Sequence, residues 1–273
     1  MAYEHILTET AGRVGIITFN RPEKLNAMNE RMREETLEQI GIWNEDDHIG
    51  AIVLAGEGRA FCSGADLDDF VVREQDNRSA TAASFRTGPQ PMRWTAGRGR
   101  GITPFLMTSK PTIAAVNGYS VGIGLTFILP FDIRIASTNA LFSIRFIRVG
   151  LMPELGSTRL LAQLVGLGNA ADMCLTGRMV PADEALRMGL VIKVVEPENL
   201  LEAAVDKARE IANNPPQAVM FVKELLRQNP LDPDIDRVGE REGIRDQIAR
   251  RHPDHAEALA AFMEKREPRF GRE

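Results

Sequence analysis

The sequence predicts an α/β fold, with alternating strands and helices over residues 1–199 and a helical region over residues 200–273. Three observations point to it. Residues 51–55 and 112–116 are continuous apolar β-type runs, as in strands covered on both faces of a parallel sheet. Two glycine-bearing turns about sixty residues apart, Ser63-Gly64-Ala65-Asp66 and Gly122-Ile123-Gly124, each join a β-type run to a helical pattern. Beyond Pro197 no further strand is evident, and residues 200–212, 217–227, 235–251 and 255–265 read as four successive helices.

In chain order, residues 6–9 and 14–19 are short β-prone runs around Ala11-Gly12-Arg13 and predict a hairpin. The stretch Asn20-Arg21-Pro22-Glu23-Lys24-Leu25-Asn26-Ala27 breaks that pattern before a helix that begins near Asn29. A glycine-bearing turn over residues 56–67 follows the strand at 51–55 and opens a helix. Residues 71–100 are rich in Arg, Asp, Ser, Thr, Gly and Pro, and Gly97-Arg98-Gly99-Arg100-Gly101 does not suit the interior of an element, so a loop or flap that can include a short helix is expected there, in a segment that runs on to Thr108. After the strand at 112–116, residues 117–132 read as a turn and a helix buried all round, ending near Pro130. Residues 133–136 and 140–144 are β-type, 157–165, 169–176 and 181–188 helical, and 190–195 a last strand.

The buried helix after Gly122 bears directly on function. The start of such a helix leaves backbone N–H groups unpaired, and these, with the helix dipole, suit an anion or a developing oxyanion. A glycine-rich turn that serves packing alone is the competing explanation.

Composition sets bounds. The chain has 273 residues, 44% hydrophobic and 26% charged, which suits a folded globular protein. A net charge of -5 and a pI near 5.6 supply no basic footprint for nucleic acid. No apolar run reaches membrane-spanning length, and Met1-Ala2-Tyr3-Glu4-His5 lacks the features of a signal peptide. Cys62 and Cys174 form no paired motif, and His5, His48, His252 and His255 form no metal constellation. A cytoplasmic protein without a metal site is expected.

The two glycine turns, Asn20-Arg21-Pro22 through Asn26-Ala27, Ala114-Ala115-Val116-Asn117-Gly118, and Phe262-Met263-Glu264-Lys265-Arg266 occur in an order that resembles the crotonase superfamily of enoyl-CoA hydratases and isomerases. The resemblance runs from about Tyr3 to Phe270. It implies a crotonase-like spiral of ββα units with a helical C-terminal trimerisation region, assembled as a homotrimer or homohexamer. It also implies an acyl-CoA substrate, with coenzyme A carried as part of that substrate and no other cofactor. The oxyanion donors fall on the backbone N–H groups of Ala65 and Ile123. Most relatives have glycine at the second position, so Ile123 is a departure that a backbone donor tolerates. Lys24, Leu25, Ala27 and Gly64 match positions near coenzyme A, and Phe262 and Lys265 match residues contributed by a neighbouring subunit. Solvated lysines and core packing are the competing explanations for these side chains.

The acid–base residues also depart from the pattern. The two glutamates of the hydratases correspond to Thr126 and Phe146, which leaves these positions to shape the acyl pocket. Neither side chain titrates as a carboxylate. Glu154 stands instead where hydratases usually carry glycine and several double-bond isomerases carry an acid. Leu151, Met152 and Leu155 surround it with apolar neighbours, an environment that raises a carboxyl pKa. Its competing role is a helix-start carboxylate ahead of the helix at residue 157.

The leading expectation is isomerisation of a 3-enoyl-CoA to a 2-enoyl-CoA, with Glu154 as the single base. Other crotonase-type reactions, including hydrolysis, dehalogenation and weak hydration, and a silent acyl-CoA binder are the alternatives. Asp66, Asp68, Asp69 and Asp132 are read as structural, Cys62 as packing, and Arg145 and Arg148 as lining either the pocket or a subunit interface.

Overall fold

The computed structural model describes residues 3–66 and 101–270. Two sheets share the chain. The larger has the order β1-β2-β3-β5-β7-β10, with strands β1 Ile6–Ala11, β2 Val14–Phe19, β3 Ala51–Gly56, β5 Thr112–Val116, β7 Ile133–Ser137 and β10 Lys193–Val195. The smaller has the order β4-β6-β8-β9, with β4 Ala60–Cys62, β6 Tyr119–Val121, β8 Leu141–Ser143 and β9 Val180–Pro181. The chain thus alternates between sheets, β3 then β4, β5 then β6, β7 then β8. Only β1–β2 and β8–β9 pair antiparallel; the other pairs are parallel.

The expected hairpin is β1–β2, turning at Gly12 with φ +62°. Helix α1, Glu30–Asn44, starts where expected because the Asn29 side chain accepts from the Met32 N–H. The buried helix is shorter than predicted. Helix α3 spans Ile123–Thr126, and residues 127–130 continue as turns although Phe127, Ile128 and Leu129 are buried as expected. A second correction lies just before it, where β6 was read as part of a turn. Gly118 permits that crossing between sheets, because a Cβ there would lie 2.1 Å from the Arg59 carbonyl oxygen.

A short helix directly follows the stretch read as a loop. Helix α2, Ile102–Thr108, buries Ile102 and Leu106, whose apolar pattern outweighs the polar stretch ahead of it. Residues 67–100, with the expected flap, Asp68, Asp69 and the helix after the first turn, lie outside the described residues. The two helices predicted over 157–176 are both present; they run on as α4, Ser157–Thr176, and meet at Gly166, whose φ +76° and ψ 157° are not helical. Helix α5 is Ala182–Met188.

The last four helices are α6 Leu200–Ala212, α7 Pro216–Gln228, α8 Ile235–Arg251 and α9 Pro253–Glu264. Helix α6 sets Leu200, Ala204, Val205, Ala208 and Ala212 against Val14, Val53, Ile113 and Ile135 on one face of the larger sheet. The main core, including Phe19, Leu54, Phe61, Phe127 and Phe142, lies between the sheets and the other helices. Asp132 fastens α7 to this framework. Lys223 Nζ donates to Asp132 Oδ2 at 2.7 Å, Arg227 Nη2 to Oδ1 at 3.0 Å, and the Thr112 N–H to Oδ2 at 2.8 Å.

Candidate active site

The two glycine turns stand at the same end of neighbouring parallel strands, β4 and β6. The first turn is held from the N-terminal side. Asn26, fully buried at φ +52°, accepts from the Arg21 N–H and donates to the Glu57 and Ala60 carbonyls at 2.9 and 2.7 Å. Met28 N–H donates to the Gly64 carbonyl, and the Asp66 N–H returns a bond to the Met28 carbonyl. Arg21 Nη2 meets Asp66 Oδ2 at 2.8 Å in a buried ion pair, a structural role made by the fold. Gly64 has φ +129°, a conformation suited to glycine.

The second turn places Gly122 at φ +55°, ψ -122°, with its N–H on the Ser143 carbonyl and its own carbonyl accepting from Leu125 and Thr126. A Cβ on Gly122 would lie 4.0 Å from both the Gly64 Cα and the Phe146 ring, so the two turns and that ring meet. Gly124 presses closer still, since a Cβ there would lie 2.3 Å from the Cys62 carbonyl oxygen. Among the described residues, the N–H groups of Ala65 and Ile123 donate to no protein acceptor. Ile123, Phe146 and Leu155 are partly buried against the main core.

Glu154 belongs to the loop after the 3₁₀ turn Arg145–Val149. The Leu151 N–H hangs this loop from the Phe146 carbonyl at 2.9 Å, and Thr103 Oγ1 of α2 donates to the Leu155 carbonyl at 2.8 Å. The loop carries three left-handed residues, Gly150, Leu155 and Gly156, with φ between +56° and +73°. Leu155 is the costly one, since a branched side chain disfavours that region. Among the described residues the Glu154 carboxyl caps no N–H; Gly156 occupies the cap of α4, and Glu154 contributes only its carbonyl, accepting from the Ser157 N–H. The carboxyl keeps access to solvent, yet the protein around it raises its pKa by desolvation, against the pull of Arg33 on α1. Nothing in the sequence spacing links Arg33 to Glu154; the fold alone brings its charge to bear there.

The remaining candidates separate by position. Lys24 and Leu25 end the turn Pro22–Lys24, and the Leu25 carbonyl accepts from the Ser63 N–H, which sets this segment and Ala27 beside the first turn. Thr126 is fully buried. Phe262 and Lys265 lie exposed at the far end of α9, and no described hydrogen bond or ion pair joins them to either turn. Arg145 and Arg148 are exposed on the 3₁₀ turn. Cys62 is fully buried and its thiol pKa is pushed up to about 12, chiefly by burial, which suits packing. Among the described residues no group of three His, Cys, Asp or Glu is placed to hold a metal ion, and no helix is long and apolar enough to cross a membrane. A separate cavity of about 710 Å³ opens at the other end of the strands, and no predicted site residue lines it.

Alternating strands in two sheets, with paired glycine turns at one end of the smaller, define a crotonase-type fold. The family model for enoyl-CoA hydratase/isomerase matches residues 9–273. The chain is 36% identical to a probable enoyl-CoA hydratase of Rhizobium meliloti, over 99% of both chains. It is 34% identical to a 1,2-epoxyphenylacetyl-CoA isomerase of Escherichia coli, over 98% of both. The crystal structure of an enoyl-CoA hydratase from Bacillus anthracis matches with a TM-score of 0.85 and 30% identity, over 99% of this chain and 100% of that one. The chain belongs to the enoyl-CoA hydratase/isomerase family and is an acyl-CoA enzyme.

Proposed function

We propose that this enzyme moves the double bond of a 3-enoyl-CoA to give the 2-enoyl-CoA. The Ala65 and Ile123 N–H groups hold the thioester oxygen, and the Glu154 carboxylate removes a proton from C2. The dienolate electrons then shift, and the same carboxyl returns the proton at C4, so the reaction is redox-neutral and needs one base. The observation that carries this reading is the Glu154 carboxyl itself, capping no N–H of the helix behind it, with its pKa raised by desolvation. Two N–H groups without described acceptors at the joined glycine turns support the oxyanion role, where one donor is typically worth about 3 to 4 kcal/mol. Thr126 and Phe146 line the acyl side, and Lys24, Leu25, Ala27 and Gly64 the coenzyme A side.

In the same proposal residues 1–199 carry the site and residues 200–273 the subunit contacts of a cytoplasmic homotrimer or homohexamer. Phe262 and Met263, 84% and 82% exposed, support that assembly as apolar surface suited to a neighbouring copy, and Phe262 and Lys265 then complete the partner's coenzyme A site. Hydration is the second reading, favoured by the hydratase names of the Rhizobium meliloti and Bacillus anthracis relatives.

Incubating wild type and Glu154→Gln with a 3-enoyl-CoA in D₂O tests the proposal. Wild type should form deuterium-bearing 2-enoyl-CoA, and the variant should lose about 10² to 10⁴-fold in turnover while still binding the ester. A variant with wild-type turnover refutes the base assignment, and binding without exchange or isomerisation in wild type points to the silent binder.

A further inference from the structure

Glu154 lies in a loop with few ties. Among the described residues, the hydrogen bonds made by residues 151–156 stay within the stretch 145–160 with one exception. The Leu151 N–H returns to the Phe146 carbonyl, and the Glu154 and Gly156 carbonyls accept from Ser157, Arg159 and Leu160. The exception is Thr103 of α2, whose Oγ1 donates to the Leu155 carbonyl at 2.8 Å across 52 residues of sequence. Leu151 and Met152 are exposed, so packing does not hold the loop on their side.

The Thr103 hydroxyl does not take the bond usual for a helical threonine. Thr36, Thr108 and Thr176 each donate to the carbonyl four residues back. Thr103 stands in the first turn of α2, where no such carbonyl belongs to the helix, and its hydroxyl reaches outward instead. Its acceptor is the strained point of the Glu154 loop. Leu155 and Gly156 are successive left-handed residues at φ +56° and +73°, a conformation that glycine adopts freely and leucine does not. We propose that Thr103 is a positioning residue for Glu154. Fixing the Leu155 carbonyl keeps Leu155 left-handed, and that backbone sets the direction in which Glu154, one residue earlier, projects. Without the hydroxyl, Leu155 is free to relax and to carry the carboxyl with it. Thr103 takes no proton itself, and the inference rests on Glu154 being the base.

Steady-state turnover of a 3-enoyl-CoA is measured for wild type, Thr103→Val, Thr103→Ser, Glu154→Gln and Thr103→Val combined with Glu154→Gln. Valine keeps the shape of threonine and removes only the hydroxyl. A misplaced base costs rate rather than binding, so Thr103→Val should lose about 10 to 10²-fold in kcat with KM within about threefold of wild type. Thr103→Ser, which keeps the donor, should stay within about threefold of wild type in both. The combined variant should be no slower than Glu154→Gln alone, because a residue that acts only through a carboxylate has nothing to position once that group is gone. Wild-type kcat in Thr103→Val beside a crippled Glu154→Gln overturns this inference alone. A loss that serine does not restore, or a further loss in the combined variant, assigns Thr103 to general stability and also overturns it. Should Thr103→Val not fold, Thr103→Ala reads the same split between kcat and KM. Wild-type turnover in Glu154→Gln, or none in wild type, is a different failure, which removes the base assignment and this inference with it.

Discussion

Gly124→Ala tests whether the contact between the two turns sets the spacing of the proposed oxyanion donors. The added methyl group would sit 2.3 Å from the Cys62 carbonyl oxygen and 2.8 Å from the Cys62 Cβ. Contacts of this kind begin near 3.0 Å, so β4 and α3 have to part by about 0.7 Å, which is 3.0 less 2.3. The obstructing oxygen is backbone and cannot rotate away. Cys62 precedes Ala65 by three residues and Gly124 follows Ile123 directly, so the displacement reaches the gap between the two N–H groups. Misalignment of one such donor is expected to lower kcat by about 10² to 10³-fold. Overpacking should cost a further 1 to 3 kcal/mol, roughly, in stability. At this chain length that corresponds to a fall in Tm of about 2 to 4 °C for each kcal/mol. The assay is C2 deuterium exchange and turnover of a 3-enoyl-CoA beside thermal unfolding, with Gly168→Ala as control. Gly168 lies in α4 with nothing within 4 Å of its added methyl, so that change should be neutral or stabilising by up to about 1 kcal/mol. Wild-type turnover and Tm in Gly124→Ala would refute the reasoning.

Three further outcomes are expected. Burial raises the Glu154 pKa and Arg33 opposes it, so the acid limb of kcat/KM should lie above the ordinary glutamate value of 4.5, and Arg33→Gln should move it higher; an unmoved limb excludes Glu154 as its source. Burial alone would raise the Asp132 pKa, but Lys223, the Thr112 N–H and Arg227 outweigh it and the net shift is downward. The partners differ, because burial outweighs pairing at Lys223, whose pKa is lowered. Asp132 governs the acid side, since lysine stays protonated there. Its contribution should be complete above the ordinary 3.8 and fade as pH falls below it. Asp132→Asn should therefore cost about 3 kcal/mol in denaturant unfolding at pH 7 and less at pH 3; an equal cost at both would contradict the pairing. Cys62→Ala should keep turnover within about threefold while losing on the order of 1 kcal/mol in stability, as a small core truncation does; abolished turnover in a folded variant would return Cys62 to the chemistry.

The strands that face apolar surroundings on both sides were legible because nothing polar interrupts them. Thr112–Val116 reads as a strand from composition alone, and Leu200–Ala212 shows its apolar face at helical spacing. Tyr119–Val121 and Val180–Pro181 were not legible, since two or three residues cannot display a period. Their pairing is decided by the neighbouring strand, and Gly118 hints at it only once the Arg59 carbonyl is seen against it. Within the site, the glycine turns and Glu154 stood out as residue types in unusual places. Arg33 did not, because its approach to Glu154 depends on how α1 crosses the sheet. Asn26 was visible only as part of a motif. Its three side-chain hydrogen bonds, which fix the loop against the segment leading into the first glycine turn, follow from a left-handed backbone that sequence does not announce. The bond from Thr103 to the Leu155 carbonyl was equally hidden, for a tie across 52 residues is a property of neighbours.

The pairing of β4 with β6 has a consequence for how such a site can change. Parallel neighbours in a sheet run about 4.8 Å apart, and here each ends in a turn that presents one of the two N–H groups. The separation of those donors is thus inherited from the ladder, with no side chain needed to set it. The Ile123 side chain leaves that interval alone, since its donor is the backbone. In the proposed site, substitutions at 123, 126, 146 or 154 would change the acid, the base or the acyl pocket one at a time while the two N–H groups keep their interval. Chemistry in this fold is therefore interchangeable in a way that the grip is not: a new acid, base or acyl preference costs a side chain, whereas a new grip would cost the sheet.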